Sequence, residues 1–328
     1  QYDLVTDFTF GYAKINMGFT PGEDDPTPIY EGKWGLMDTA GIQIWEPKYN
    51  YVNLSPQWIS QSTGILLAEC PFSETETGDK NLNQLFGLVK KNGQLLQPLQ
   101  FNEWKILNRR ILFRRFNNWG IWDTNGNTLA MPVYEAILRF PEGFLGLQDE
   151  GKWIIADENA KTISQYKFEA IGERWGNQML PVKWNGRWGF LNTAGMFAIK
   201  CEYEKAEPFS EGLAAVSQAG KWGFLNEKGK FVLKPQFSVA SGFAAGWAPV
   251  RLNHWKYINL KGKFMEGIPA LDGASSFRNG FAWIEQNQKF GILKPDGRVF
   301  IDPVFDHYEY VSDSNYILVC KGCRKELI

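Results

Sequence analysis

The chain has 328 residues, 44% of them hydrophobic, and its 35 Lys and Arg residues nearly cancel its 36 Asp and Glu residues. This composition allows a large buried core and excludes general disorder. The balanced charge gives no strong field toward nucleic acid or an anionic membrane, and no stretch approaches the roughly 20 apolar residues of a membrane-spanning helix. Gln1 at the start fits a mature chain after signal-peptide removal, or a trimmed one.

The first repeat introduces the pattern of the whole chain. It begins with "GYAKI" (11–15), continues through the insertion "GFTPGEDDPTPIYEG" (18–32), and ends with "KWGLMDTAGIQIWEPKY" (33–49). Each short apolar run is followed by a turn. The pattern predicts a three-stranded antiparallel meander, with Trp34 in its middle strand.

This pattern recurs along the chain with a period of about 34 residues. The successive spacings of the aromatic anchor are 52, 33, 34, 35, 34, 33 and 35. A fixed period of this length predicts a repeat array. The eight anchors are Trp34, Phe86, Trp119, Trp153, Trp188, Trp222, Trp255 and Phe290.

A glycine follows the anchor by seven residues in every repeat except the fourth, which has Ala160. The four residues that end there, such as "NEKG" (226–229), predict a type I turn followed by a left-handed residue. Upstream of the first strand, Phe-x-x-Gly recurs, as in 209–212. We interpret this motif as the crossover to the next sheet.

The middle strand is apolar on both faces. In "KWGFLN" (221–226), Trp222 and Phe224 share one face, and Leu225 lies on the other. Gly223 is expected to leave a flat space for an aromatic side chain of the neighbouring sheet. Because one meander cannot bury two apolar faces, the copies are predicted to stack face to face.

The motifs resemble those of the WG (KWG) repeat family, which is found widely in bacteria. The matching residues include Lys33–Gly35, Arg187–Gly189 and the segment 209–237, whereas Phe86, Ile154, Lys256 and Phe290 depart from the pattern. The resemblance implies an extracytoplasmic or accessory module without a settled general activity. It transfers no catalytic residue.

The predicted fold is therefore all-β, a repeat array of about eight three-stranded antiparallel meanders in one domain, 1–328, with a partial capping repeat at 306–328. An open superhelical arc is preferred, and a closed propeller-like ring is the alternative. The surplus strands at the C-terminus favour the arc, since they can cap an open stack.

The insertions in repeats one and two (18–32 and 71–83) leave equivalent turns, so they are expected to project side by side. They are either acidic surface filler or a partner-binding patch. The candidate residues of that patch are Asp24, Asp25, Glu74, Glu76 and Asp79. Their spacing does not resemble a calcium loop, and no metal is predicted.

Two tryptophans, Trp58 and Trp175, lie in predicted crossovers and are expected to be exposed, where they can bind a partner or stack on a glycan. The basic segment 105–115 is interpreted as a solvated strand face rather than a nucleic-acid site. Cys320 and Cys323 form either a terminal disulfide or two free thiols.

Catalytic signatures are absent from the sequence. His254 and His307 are its only histidines, and it contains no nucleophile elbow, phosphate loop or HExxH motif. We expect no enzyme activity and no cofactor. The predicted function is a non-catalytic protein–protein interaction or scaffold module of the bacterial cell envelope, periplasmic, outer-membrane-associated or secreted. A carbohydrate-binding module and a hydrolase are the alternatives.

Overall fold

The computed structural model describes residues 2–8, 11–18, 32–49, 51–53, 65–71, 84–90, 95–107, 110–310, 317–322 and 324–327. These ranges contain 33 strands in nine antiparallel sheets and no helix. The chain divides into two compact units. The N-terminal unit comprises 1–138, 147–151 and 156–161, and the C-terminal unit comprises 139–146, 152–155 and 162–328.

Sheets 1 to 3 belong to the N-terminal unit, and each has four strands in chain order. Sheet 1 contains β1 (Leu4–Val5), β2 (Tyr12–Met17), β3 (Lys33–Asp38) and β4 (Gln43–Tyr49). Sheet 2 contains β5 (Tyr51–Asn53), β6 (Ile65–Pro71), β7 (Gln84–Lys90) and β8 (Leu95–Phe101). Sheet 3 contains β9 (Glu103–Leu107), β10 (Arg110–Arg115), β11 (Asn118–Asp123) and β12 (Thr128–Tyr134).

Sheets 4 to 6 continue the order. Sheet 4 contains β13 (Ala136–Arg139), β14 (Phe144–Asp149) and β15 (Lys152–Asp157). Sheet 5 contains β16 (Ala170–Ile171), β17 (Met179–Trp184), β18 (Arg187–Asn192) and β19 (Phe197–Tyr203). Sheet 6 contains β20 (Lys205–Ala206), β21 (Leu213–Gln218), β22 (Lys221–Asn226) and β23 (Phe231–Phe237).

Sheets 7 to 9 complete the C-terminal unit. Sheet 7 contains β24 (Val239–Ala240), β25 (Trp247–Arg251) and β26 (Trp255–Asn259). Sheet 8 contains β27 (Gly273–Ala274), β28 (Ala282–Gln286), β29 (Lys289–Leu293) and β30 (Val299–Phe305). Sheet 9 contains β31 (His307–Tyr310), β32 (Ile317–Lys321) and β33 (Arg324–Leu327).

The all-β repeat array is confirmed, and every anchor lies in the third strand of its sheet. The structure adds a short first strand to each sheet. In sheet 6, for example, Lys205 pairs with Ser217 and Ala206 with Val216. Two-residue strands of this kind carry too little periodicity to be recognised in the sequence. In sheets 4 and 7 the predicted strand after the anchor strand is wrong, since only isolated bridges such as Trp153–Phe168 and Trp255–Leu271 form there. The single domain and the preference for an open arc stay predictions.

The Phe-x-x-Gly motif does not join two sheets, so that interpretation is wrong. The chain passes from β19 to β20 through Glu204 alone, and the motif turns the chain within sheet 6, between β20 and β21. Ser210 and Leu213 pair across it, and Gly212 has φ +84°. Phe209 is buried beneath this turn, which therefore closes the first hairpin of the sheet.

The predicted turn after the anchor strand is confirmed. Gly229 has φ +72°, and even Ala160, which replaces the glycine in repeat four, has φ +62°. The turn is also held by its first side chain, because the Asn226 Oδ1 accepts hydrogen bonds from the backbone N–H groups of Lys228 and Lys230, both at 3.0 Å. This Asx arrangement explains the Asp or Asn that opens most copies of the turn.

Both faces of sheet 6 are buried against a neighbouring sheet. Phe224 packs with Val250 and Ile258 of sheet 7. On the opposite face, Leu225 packs with Phe190 and Tyr203 of sheet 5. Similar apolar clusters join sheets 2 and 3, sheets 7 and 8, and sheets 8 and 9. Since each large buried side chain contributes about 1.5–3 kcal/mol, this packing is a main source of stability.

The glycine after the anchor has a different role from the one expected. A Cβ on Gly223 would lie 2.6 Å from the Leu233 carbonyl oxygen and 2.8 Å from the Pro235 nitrogen. The register shifts here, because Trp222 pairs with Phe237 while Phe224 pairs with Leu233. The bulge in β23 brings its backbone against the glycine, so the flat-space prediction is wrong.

Candidate functional site

The two acidic insertions leave sheets 1 and 2 at the same topological position. Met17 pairs with Lys33 at the end of β2 and β3, and Pro71 pairs with Gln84 at the end of β6 and β7. In sheet 6 the same position holds the two-residue turn 219–220. The insertions therefore take the place of this two-residue turn in the chain order. The candidate residues Asp24, Asp25, Glu74, Glu76 and Asp79 all lie outside the described residues.

A carboxylate braces this hairpin end in several sheets. In sheet 6, Glu204 accepts hydrogen bonds from the Gly220 N–H at 2.9 Å and from the Ser217 hydroxyl at 3.1 Å. The Gly220 N–H is the main reason that the pKa of Glu204 is lowered. Equivalent contacts join Glu135 to Gly151, Glu169 to Gly186, and Asp306 to Gly322.

The same brace is present where the first insertion leaves sheet 1. The Gly18 N–H donates to Asp3 Oδ2 at 2.6 Å. Beside it, Asn16 is fully buried, and neither polar atom of its side chain has a hydrogen-bond partner among the described residues. The first insertion thus departs from a root that is fixed in the same way as the tight hairpins.

Trp175 is 4% exposed, so the prediction of exposure is wrong. Its ring stacks on Phe144, with centroids 4.6 Å apart, and meets the edge of Phe140 at 6.2 Å. Trp175 precedes Phe209 by 34 residues, so it occupies the aromatic position of the Phe-x-x-Gly turn. The repeat spacing contained this signal. Trp58 lies outside the described residues.

The basic segment 105–115 is engaged in local contacts. The Lys105 ammonium lies 4.8 Å from the centroid of the Trp119 ring, and the Arg114 guanidinium lies 5.6 Å from it. Both cations also pair with Glu103 at 3.1 Å. Arg110 donates to the Glu158 carbonyl at 3.0 Å and to Asn159 at 2.7 Å. In the described part of this segment, Lys105, Arg110 and Arg114 therefore form cation–π, ionic and hydrogen-bond contacts within the chain.

An exposed apolar corner of sheet 3 was missed by the sequence analysis. It consists of Phe116, 77% exposed, Met131, 65% exposed, and Val133, 51% exposed. Phe116 is at the tip of the hairpin between β10 and β11, whereas Met131 and Val133 lie in β12. A comparison of these positions between repeats would have indicated the corner, because most copies carry small or polar residues there.

Glu207 and Cys201 are two titratable residues whose pKa is raised by burial. Burial raises the pKa of Glu207, with Arg174 lowering it and Glu173 raising it further. Burial likewise raises the pKa of the Cys201 thiol to about 11. Within the part of the chain that the structure describes, no three His, Cys, Asp or Glu side chains are grouped to hold a metal ion.

Cys320 is a free thiol, and Cys323 lies outside the described residues. The described ranges include no helix with the length and hydropathy needed to span a bilayer.

Four segments of the chain match the family model of the WG containing repeat: 119–153, 188–222, 222–253 and 257–290. Each segment begins at or just after an anchor. The first three combine the last two strands of one sheet with the first strands of the next, whereas the fourth begins within β26, the last strand of sheet 7. No curated protein matches the chain.

Several solved structures are similar at low identity. A eukaryotic initiation factor is 9% identical with a TM-score of 0.43, and the match covers 89% of this chain and 84% of that one. Hsv2p of Kluyveromyces lactis is 9% identical with a TM-score of 0.40, covering 67% and 89%. The extracellular domain of a putative hybrid two component system from B. thetaiotaomicron is 10% identical with a TM-score of 0.35, covering 97% and 54%. These TM-scores are below 0.5 and carry no functional conclusion.

Proposed function

We propose that this chain, four segments of which match the WG containing repeat, is a non-catalytic interaction or scaffold module that holds a protein partner in the bacterial cell envelope. Stacked β repeats offer a long and rigid framework whose hairpin ends can vary without disturbing the core. The envelope location follows from the resemblance to extracytoplasmic WG-repeat proteins, and cell fractionation tests it.

The observation that carries the proposal is the equivalence of the two insertion roots. The pairs Met17–Lys33 and Pro71–Gln84 close the same hairpin in consecutive sheets of one compact unit. Insertions at equivalent turns of neighbouring repeats typically build a binding face. The acidic residues Asp24, Asp25, Glu74, Glu76 and Asp79 would give that face a preference for a basic partner.

The non-catalytic role is an expectation from the sequence, which contains no catalytic motif. Glu207 has a raised pKa, but Arg174 beside it acts in the opposite direction. The hydrolase alternative requires two carboxylates that face each other in a cleft. Incubation with chromogenic glycosides and esters tests it, and we expect no turnover.

The carbohydrate-binding alternative requires exposed indoles beside polar groups. Trp175 is buried and therefore offers no platform for a sugar. A glycan array measures this alternative directly, and we expect no specific binding. A specific hit that depends on Trp58 would replace the protein-partner proposal.

Deletion of 72–82 tests the proposal. We expect the deletion to leave the fold intact, because the register of β6 and β7 is set on the core side of the insertion. Capture of the partner from the native source should weaken. A charge control, Glu74→Gln with Glu76→Gln and Asp79→Asn, separates charge from length. If the full chain recovers no specific protein, or if the deletion captures as well as the full chain, the proposal is wrong.

A further inference from the structure

We propose that the exposed corner of sheet 3, formed by Phe116, Met131 and Val133, docks an acidic peptide segment of a partner protein through its apolar side chains. The proposal deepens the interaction function, on which it rests, but it uses a surface other than the two insertions. Its test is therefore separable from theirs.

The hairpin tip is an unfavourable place for a phenylalanine. Phe116 has φ +55°, a left-handed conformation that disfavours bulky side chains. At the same tip position the neighbouring sheets have Glu150, Asn185, Ala219 and Asn287, each with φ near +50°. The turn therefore does not require an aromatic residue, and the choice of Phe116 needs a separate reason.

The exposure of Phe116 and Met131 gives a reason for an aromatic residue at the hairpin tip. Among the large hydrophobic residues that the structure describes as exposed, Phe116 and Met131 have the highest exposed fractions, 77% and 65%. Both belong to sheet 3. Solvent-exposed apolar side chains that cluster in one place commonly mark an interaction site, whereas isolated ones need no explanation.

The fourth strand of sheet 3 also departs from its copies. At the bulge opposite the anchor glycine, β12 has Met131-Pro132-Val133, whereas β23 has Lys234-Pro235-Gln236. The equivalent residues of β19 are Lys200, Cys201 and Glu202. Charged residues on an outer strand prevent unwanted association. Sheet 3 lacks this protection at both outward positions.

The pairing register brings Phe116 and Val133 to one end of the sheet, and Met131 lies two residues before Val133 in β12. Arg115 pairs with Asn118 across the tip that holds Phe116. One residue further, Trp119 pairs with Tyr134, which directly follows Val133 in β12. The hairpin tip and the apolar bulge therefore share a corner.

The charges around this corner favour an acidic partner. Arg115 lies 5.6 Å from the centroid of the Phe116 ring, and the Lys105 side chain, 61% exposed, lies on β9. At this end of the sheet Lys105, Arg114 and Arg115 stand against Glu103, because Arg110 and Asp123 pair with each other at the far end of β10 and β11. Glu135, which follows Tyr134, accepts a hydrogen bond from the Gly151 N–H. Aromatic, Met and Arg residues are the side chains that interfaces favour.

The test selects random peptides displayed on phage against the immobilised full chain, and then measures the selected peptides by fluorescence anisotropy. We expect enrichment of Asp and Glu beside Leu, Phe or Trp. Phe116→Asn should weaken these peptides at least about tenfold, as for an interface hot spot. Its matched control is Phe300→Asn, which removes another exposed aromatic with a lysine over its ring and should change affinity less than about twofold.

Stability measurements keep Phe116→Asn interpretable. Asn tolerates the left-handed conformation, so its melting temperature should equal or exceed that of the parent chain. A second variant, Met131→Lys with Val133→Glu, gives sheet 3 the charged bulge of its copies and should also abolish peptide binding. Peptides without acidic enrichment, or peptides that bind Phe116→Asn equally well, would overturn the proposal.

Two further measurements identify a different occupant. Binding to vesicles of phosphatidylglycerol and phosphatidylcholine that is lost in Phe116→Asn, without acidic peptide binding, would assign the corner to a membrane surface. A dimer that Phe116→Asn converts to a monomer in sedimentation would assign it to a second copy. Either result overturns the peptide proposal. If only this corner fails and deletion of 72–82 still weakens capture, the general interaction function stands.

Discussion

Sheets 3 and 6 share the same interior but have different surfaces. After the anchor and its glycine, sheet 3 buries Ile121 and sheet 6 buries Phe224, both completely. At the hairpin tip, however, sheet 3 exposes Phe116 where sheet 6 has Ala219. The interior is constrained by stacking on both faces, whereas the surface is free to vary. A surface departure that costs conformational energy therefore indicates function more strongly than any interior residue.

The largest expected effect concerns the shared interior. Phe224→Ala removes a fully buried ring between sheets 6 and 7, and the free energy of unfolding should fall by about 3–5 kcal/mol. Urea denaturation measures it. Val232→Ala, in the outer strand β23 of the same sheet and 45% exposed, serves as the control and should cost less than about 1 kcal/mol. Equal effects from the two variants would show that the sheet is not stacked.

The anchor glycine should have the next largest effect. A methyl group on Gly223 meets the backbone of β23 at 2.6 Å, so Gly223→Ala should cost about 2–3 kcal/mol. Gly220→Ala, at φ +70° but with open space around it, isolates the conformational cost of about 1 kcal/mol. Thermal denaturation of both variants compares the two causes. A harmless Gly223→Ala would contradict the close approach of the bulge.

The hairpin tips of the two sheets should respond in opposite directions. Phe116→Asn relieves a left-handed aromatic residue and should raise the free energy of unfolding by about 1 kcal/mol. Ala219 already has a Cβ in the left-handed region, at φ +51°, so Ala219→Phe adds only the bulk of the ring and should lower it by less than about 0.5 kcal/mol. The urea concentrations at which the two variants are half unfolded, compared with that of the parent chain, measure both changes. A loss of stability in Phe116→Asn would mean that the ring packs within the chain.

The smallest expected effect is a pH dependence of the free energy of unfolding, which arises from Asp123 in the turn after β11. Burial by itself raises the pKa of Asp123, but hydrogen bonds from Asn127 and Asn125 and the charge of Arg110 hold it below its ordinary value. A carboxyl whose pKa is lowered by folding stabilises the protein above its unfolded pKa of about 4, and this stabilisation is lost as the pH falls.

Asp123→Asn should therefore lower the free energy of unfolding at neutral pH by less than about 1 kcal/mol, since the group is largely solvent-exposed. Well below the unfolded pKa, once Asp123 is protonated in the folded protein as well, the variant and the parent should become equal. Sheet 6 already has Asn226 at this position, so Asn226→Gly gives a control whose effect does not depend on pH. A difference that grows in acid would have the wrong sign.

The repeat skeleton could be predicted because each copy repeats the same constraint. The anchors predicted the third strands, and "NEKG" predicted a left-handed Gly229. The brief first strands could not be predicted, since Lys205 and Ala206 carry no periodic pattern. The role of Gly223 was also hidden, because it depends on a bulge that only the paired backbone reveals.

The candidate site was less predictable than the fold. Trp175 was misassigned although its spacing from Phe209 identifies it as a core aromatic of the array. Phe116 could not be identified from its residue type, because its backbone angle and exposure arise from the hairpin geometry. The insertion residues lie outside the described part of the chain, so their partner-binding role stays a prediction.

The most direct test of face-to-face stacking is a double-mutant cycle on Phe224 and Phe243, whose ring centroids are 5.0 Å apart in the layer between sheets 6 and 7. Phe224 and Phe209, on opposite faces of sheet 6, form the control pair. Stacking predicts a coupling of about 1 kcal/mol for the first pair and additivity within about 0.5 kcal/mol for the second. Additive losses for Phe224→Ala and Phe243→Ala would contradict it.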